Sequence, residues 1–225
     1  MKKAVIVLSG GLDSTTCMGI AAEQGYALYP LTFHYGQKHN REVEQAKKVA
    51  AHYQVSEHRI VDIAFLNQIG GSALTDSSIA VPSEQDDKEE IPATYVPARN
   101  MIFLSLASAY AEVIGAQAVF IGVSAVDYSG YPDCRPEFIQ SMDETINLAT
   151  KAGTTGERIS IVAPLMHLTK KETIEEGLAL GVPYELTTSC YNGEEEACGT
   201  CDSCLLRLKG FEEAGGRDPI AYASR

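Results

Sequence analysis

Lys3-Ala4-Val5-Ile6-Val7-Leu8-Ser9-Gly10-Gly11-Leu12-Asp13-Ser14 is the stretch on which the fold turns. Its apolar run is short and continuous, and a Gly-Gly turn closes it. That pattern suits a strand buried on both faces. Asp13-Ser14 then opens a helix-like stretch to Gln24, which Gly25 stops. A strand that feeds a helix through a glycine turn is the first half of a βαβ unit.

The same alternation runs outward from there. Residues 27–35 read as a second strand. Residues 40–53 read as a helix, with Val43, Ala46, Val49 and Ala50 on one stripe and charges opposite. A third short strand is expected at 59–63. Residues 72–97 break the rhythm with Ser, Pro and the acidic run Glu84-Gln85-Asp86-Asp87-Lys88-Glu89-Glu90. A loop this long is either a lid or a surface insertion. Order resumes with an apolar helix at 100–114, a strand at 118–123 and a helix at 136–150. A strand at 159–163 and a helix at 170–180 follow. Strands alternating with helices predict an α/β fold, doubly wound around a mostly parallel sheet. The expected body is 1–188, and 189–225 is a small metal-binding segment with a C-terminal helix or tail.

The chain has 225 residues, 45% of them apolar and 21% charged, the profile of a soluble globular domain. No apolar run approaches the roughly 20 residues that a membrane helix needs. The first residues lead straight into the strand and leave no room for a signal peptide. A cytoplasmic protein with no membrane partner is expected. The formal net charge is -12. Nucleic-acid binding depends on neutralising phosphates with Lys and Arg, so no nucleic-acid partner is expected.

Between the first strand and helix, Ser9-Gly10-Gly11-Leu12-Asp13-Ser14 sits where physics favours an anion. Helix N-terminal amides lack partners, and the helix dipole adds partial positive charge. Glycine lets the backbone approach a ligand closely. Ser9, Ser14 and Thr15 add hydroxyls. A plain strand-to-helix turn has the same position. The loop lacks the Gly-Lys-Ser/Thr ending of a Walker loop, so its cation must come from elsewhere or from magnesium. Lys170 opens the last expected helix of the body. A cation there opposes the helix dipole, which favours a functional role over an ordinary surface lysine.

Six cysteines are present: Cys17, Cys134, Cys190, Cys198, Cys201 and Cys204. The last four form C-x7-C-x2-C-x2-C. In a reducing cytosol such a cluster reads as a metal site. Four thiolates suit one structural zinc per chain, with no open ligand position. An iron–sulfur cluster uses similar x2 spacing. Cys17 is expected to pack in the first helix. Cys134 is read as structural rather than nucleophilic.

The string SGGLDS resembles the pyrophosphate loop (PP-loop) of the N-type ATP pyrophosphatases, which cleave ATP to AMP and pyrophosphate and adenylate an oxygen. Four further segments narrow the resemblance: Phe33-His34-Tyr35-Gly36-Gln37, Tyr95-Val96-Pro97-Ala98-Arg99-Asn100, residues 122–138 and Cys190-Tyr191-Asn192-Gly193. Together, from Val5 to about Gly210, they are similar to the 7-cyano-7-deazaguanine synthase family of queuosine biosynthesis. The resemblance implies an adenine nucleotide alpha hydrolase-like fold and a ligase acting on 7-carboxy-7-deazaguanine, ammonia and ATP with magnesium. The carboxylate is adenylated, ammonia displaces AMP, and a second adenylation and elimination give the nitrile. It implies a homodimer as well.

Site residues follow from the loop and the resemblance. The nucleotide is assigned to Leu8, Ser9, Gly10, Gly11, Leu12, Asp13, Ser14, Thr15, Thr16, Cys17 and Met18, with His34, Arg99 and Lys170. Catalysis is assigned to Ser9, Asp13, Lys170 and Arg135. The segment after the 118–123 strand lies where open α/β sheets place ligands. Tyr128 and Tyr131 are candidates to stack on the base, Asp127 and Asp133 to accept its N–H groups, and Arg135 to meet its carboxylate. Tyrosines packed locally in a turn-rich loop are the alternative. Rival functions are a tRNA thiolation enzyme with the same loop and a non-catalytic zinc-containing binding module.

Overall fold

Alternation along strand β1 (Lys3–Val7) divides the core in two. Val5 and Val7 point to one face of the sheet, into a cluster with Phe103, Leu104, Ile139, Met142 and Ile146. Ala4, Ile6 and Leu8 point to the other, against Cys17, Met18, Ala46 and Val49. This period-2 division, with both faces covered, is why the run from Ala4 to Leu8 carries no polar residue. The computed structural model describes residues 1–36, 41–76, 78–79, 91–126, 130–192 and 196–223.

Helix α1 (Leu12–Glu23) leads to β2 (Ala27–His34), and α2 (Arg41–His52) to β3 (Arg59–Asp62). After a 3-10 turn at Ala64–Gln68, the next elements among the described residues are α3 (Arg99–Ile114) and β4 (Ala118–Phe120). Helices α4 (Pro136–Ala149) and α5 (Lys151–Thr154) precede β5 (Ser160–Val162). Helix α6 (Lys170–Ala179) and α7 (Asp202–Glu213) end the helical part. The five strands are all parallel, in the order β3-β2-β1-β4-β5. Helices α1 and α2 cover one face, α3 and α4 the other, which makes the sheet doubly wound. The order reverses between β1 and β4, and the crevice beyond their C-terminal ends is the topological switch point.

Two details depart from the expected boundaries. Strand β4 stops at Phe120, short of Val123. The chain peels away there to lie on the start of α1: a Cβ on Gly122 would stand 2.9 Å from the Ser14 nitrogen. The C-terminal helix α7 packs on α6. Phe211 joins Leu12, Ile174, Val182 and Tyr184 in a small core of its own.

Candidate active site

The phosphate loop is held open by its own hydrogen bonds. Gly10 has φ +81°, and a Cβ there would stand 2.4 Å from the Glu42 carbonyl oxygen, so only glycine fits. The Ser9 and Ser14 hydroxyls lie 3.0 Å apart, and the Gly11 N–H donates to Ser9 Oγ over 3.2 Å. Thr15 Oγ1 donates to the Gly11 carbonyl over 2.8 Å. Gly11 occupies the N-cap of α1, where a serine or aspartate side chain usually satisfies the first amides; no side chain caps this helix. The first turn of α1 thus faces the switch point with free anion-binding capacity.

Into that turn reaches Lys170 from the start of α6. Thr169 and Glu172 form a capping box that fixes this helix end. Lys170 is only 9% exposed, and its Nζ meets Asp13 Oδ1 at 2.6 Å. The pair offsets part of the cost of a lysine buried at the wrong end of a helix dipole.

The loop, Lys170 and the C-terminal ends of the strands enclose a cavity of about 230 Å³. Its lining includes Ser9, Gly11, Asp13, Ser14, Lys170 and Arg99, with Tyr35, Glu42, Tyr131 and Cys134 deeper in and Thr188, Ser189 and Tyr191 on one wall. Arg99 opens α3, after Ala98 at φ +56°. Its guanidinium lies 5.8 Å from the Tyr35 ring centroid. Burial works against the Arg99 charge, but Tyr35, Tyr131, Asp133 and Cys134 outweigh it and raise its pKa. Burial raises the Glu42 carboxyl, and Arg99 offsets part of that. Burial and the neighbouring Asp133 push the Cys134 thiol up to about 12, so it is protonated at neutral pH and a poor nucleophile.

Of the residues assigned from sequence, the cavity gathers Ser9, Gly11, Leu12, Asp13, Ser14, Arg99, Lys170 and Tyr131. Leu8, Cys17 and Met18 face the sheet core. Gly10, Thr15 and Thr16 hold the loop and the first turn of α1; the Thr16 hydroxyl donates to the Leu12 carbonyl over 2.9 Å. His34 Nδ1 lies 3.5 Å from Asp62 at the end of β2, outside the lining. Asp133 is buried and accepts the Asn100 N–H over 2.9 Å. Arg135 turns back on the Pro132 carbonyl, 3.2 Å away, and is exposed. Asp127 and Tyr128 lie outside the described residues. Sequence reasoning missed Glu42, Phe103, Thr188 and Ser189. The first-turn acid of α2, just beyond a strand's C-terminal end, was a usable signal for Glu42. Thr188 and Ser189 carried none.

Beside this wall, Cys190, Cys198, Cys201 and Cys204 bring their Sγ atoms within 4.8 Å of one another. Backbone N–H groups of Cys198, Thr200 and Cys201 donate to cluster sulfurs over 3.4–3.5 Å. Such donors stabilise thiolates. One tetrahedral ion with metal–sulfur bonds of about 2.3 Å separates its sulfurs by roughly 3.8 Å; Cys198 and Cys204 stand at 3.9 Å. The donor set fits a four-thiolate metal site.

Comparison with known proteins agrees with this geometry. A solved 4-thiouridine synthetase in complex with RNA and bound ATP has the same fold, with a TM-score of 0.51 and 19% identity over 96% of this chain and 54% of that one. Much nearer is the 7-cyano-7-deazaguanine synthase of Oceanobacillus iheyensis, 61% identical over 98% of both chains. That of Desulfitobacterium hafniense is 60% identical over all of this chain and 95% of its own. The family described as Queuosine biosynthesis protein QueC matches residues 3–215, and the chain belongs to it.

Proposed function

We infer that this chain is an ATP-dependent ligase that converts 7-carboxy-7-deazaguanine and ammonia to 7-cyano-7-deazaguanine in queuosine biosynthesis. One observation carries the reading. In a chain of this family, a single cavity joins the uncapped start of α1 to Lys170 and Arg99. One end suits a polyphosphate and the other a second anion.

A carboxylate oxygen is a poor leaving group, and AMP makes it a good one. The substrate oxygen attacks the α-phosphorus, and the bond to the bridging oxygen breaks as pyrophosphate leaves. The α1 amides, Ser9, Ser14 and Lys170 stabilise the charge growing on that pyrophosphate. Ammonia then attacks the carbonyl carbon, AMP departs, and a proton is lost as the amide forms. The amide oxygen attacks the α-phosphorus of a second ATP, pyrophosphate leaves, and one N–H proton is lost from the adenylated imidate. Loss of AMP and the remaining N–H proton leaves the nitrile. Magnesium, when bound with ATP, supplies further charge neutralisation; Asp13, whose second oxygen is not used by Lys170, is the residue suited to hold it. We assign the substrate carboxylate to Arg99 rather than Arg135, because Arg99 lines the cavity and Arg135 does not. Tyr131 and Tyr35 are then the stacking surfaces, and Asp133 holds the start of α3 that aims Arg99.

The four-cysteine site is assigned to one structural zinc, in a segment, 189–225, that completes the catalytic body of 1–188. The homodimer that the family resemblance implies has a suitable face. Helix α3 exposes Met101, Leu106 and Val113 with no charge between Arg99 and Glu112. The cytosol, with reduced thiols and no nucleic-acid partner, is the assigned setting. Among the described residues no helix is long and apolar enough to cross a membrane.

The test is a mass-spectrometric assay with 7-carboxy-7-deazaguanine, ATP, magnesium and ammonia. Two AMP and two pyrophosphate per nitrile are expected. ADP and phosphate in their place would refute the cleavage site. Turnover that needs tRNA instead of the deazaguanine acid would move the chain to the thiolation reading.

A further inference from the structure

Among the described residues, Arg207 is the largest side chain that is fully buried, at 1% exposure, and it lies outside the cavity. All five of its N–H donors are used. Nε and one terminal nitrogen grip Asp218 bidentately, at 2.7 and 2.9 Å. That second nitrogen also donates to the Tyr184 carbonyl over 3.2 Å. The third donates to Thr187 Oγ1 over 2.7 Å and to Ser189 Oγ over 3.3 Å. Asp218 is in turn held by the Tyr222 hydroxyl at 2.5 Å and the Ile220 N–H at 3.3 Å.

Three of these contacts fall on one strap, residues 184–189. The strap is tied at its far side to the phosphate loop: the Thr188 N–H donates to the Gly10 carbonyl over 3.0 Å. Thr188 and Ser189 are part of the cavity wall. The same helix bears on the other side of the site. Gly210, one turn beyond Arg207, is packed so tightly on Lys170 that a Cβ would stand 2.6 Å from Lys170 Cγ. Helix α7 therefore touches both the strap beside the phosphate loop and the stem of the cavity's lysine.

We propose that Arg207, clamped by Asp218, is a positioning residue for the polyphosphate end of the nucleotide site. It fixes the strap through Thr187 and Ser189, and the strap fixes the Gly10 carbonyl and with it the orientation of the loop amides. The ligand class is the triphosphate of ATP and the pyrophosphate it releases. A buried charge pair suits this task because its geometry is directional and its alternatives are costly: a guanidinium left with an unpaired donor has no water to turn to. The proposal rests on the reading of the loop as a pyrophosphate site, and its test separates the two.

Thr187 is the place to probe, since it is buried and takes no part in the cavity lining. Thr187→Val removes the hydroxyl and keeps the shape. Thr187→Ser keeps the hydroxyl. Pyrophosphate binding to metal-loaded protein is measured by calorimetry, with metal content and melting temperature in parallel. Wild type and Thr187→Ser should bind alike, and Thr187→Val about tenfold more weakly, since the hydroxyl that accepts from Arg207 and donates to the Tyr184 carbonyl over 2.7 Å is gone. Metal content should be the same in all three. AMP formation should show the same order, with KM for the deazaguanine acid unchanged. If Thr187→Val binds pyrophosphate as wild type does, the pair is purely structural and the proposal is wrong, whatever happens to melting temperature. Loss of metal together with affinity, or equal weakening in Thr187→Ser, overturns it as well. Failure of the wild type to bind pyrophosphate would instead bring down the reading of the loop.

Discussion

Residues 9–14 and residues 184–191 lie side by side at one end of the cavity, joined by the Thr188 N–H to Gly10 carbonyl bond, and they reach that position by different means. The first segment is built from itself. Gly10 takes its positive φ, Ser9 and Ser14 bond to each other, and the helix that follows supplies the amides. The second has little local structure beyond one 3-10 turn at Tyr184–Leu186. It is held by partners from later in the chain: Arg207, Asp218 and the cysteine cluster. A segment built from local bonds should lose function when mutated and keep its fold. A segment held by buried charge and thiolates should lose both.

The cysteine cluster gives the largest expected difference between the two. Cys201→Ser should release the metal and unfold the C-terminal segment, since structural zinc supplies on the order of 10 kcal/mol of folding free energy. Metal analysis and thermal unfolding measure it; a stable, fully active, metal-free variant would erase the contrast. Asp218→Ala comes next. It strands the Arg207 charge, and breaking a buried pair in this way costs about 3–5 kcal/mol. The readout is the denaturant midpoint. A loss below about 1 kcal/mol would mean that water reaches Arg207 and that the strap is not rigidly held.

Lys170→Met tests the other side. Turnover should fall about 100- to 1,000-fold, as when one charge-stabilising donor is removed. The melting temperature should change little, because the substitution keeps the stem that packs on Gly210. Equal losses of stability and rate would place Lys170 with the C-terminal segment instead. The smallest effect is expected at His58, whose Nε2 lies 2.8 Å from Thr32 Oγ1, behind the Leu8 carbonyl that this hydroxyl bonds. Burial, and after it Lys47, lower the pKa of His58 below its usual 6.5. The unfolded chain then binds more protons than the folded one, so stability is complete above the unfolded pKa and declines as pH falls through it toward the folded pKa. His58→Gln should flatten that slope in melting curves between pH 7 and pH 5 and leave turnover at neutral pH in place.

Much of this was legible in the sequence. The Gly-Gly turn after an apolar run marked the loop that opens α1, and a lysine ill-placed in a first helical turn singled out Lys170. Arg99 came from the segment that resembles the family. In the described part of the 127–135 loop, the sequence says which side chains are present and not which way they turn. Tyr131 faces the cavity, whereas Asp133 binds the backbone of Asn100 and Arg135 turns back on Pro132. Cys17 and Met18 were assigned to the nucleotide along with the loop, yet helical periodicity turns them into the sheet core.

The sequence by itself determined the parallel α/β body, the glycine turn that opens α1 and the four-cysteine cluster. Each depends on short-range regularities: the period of apolar residues, a glycine where only glycine fits, and the spacing of like ligands. Only the tertiary structure decided that Glu42 and Arg99 share a cavity, that the strap at 184–189 forms its wall, and that Arg207 and Asp218 hold that strap. Those contacts join residues distant along the chain. A buried charge is stable only where its partner stands, and no local pattern records where another part of the chain will stand after folding.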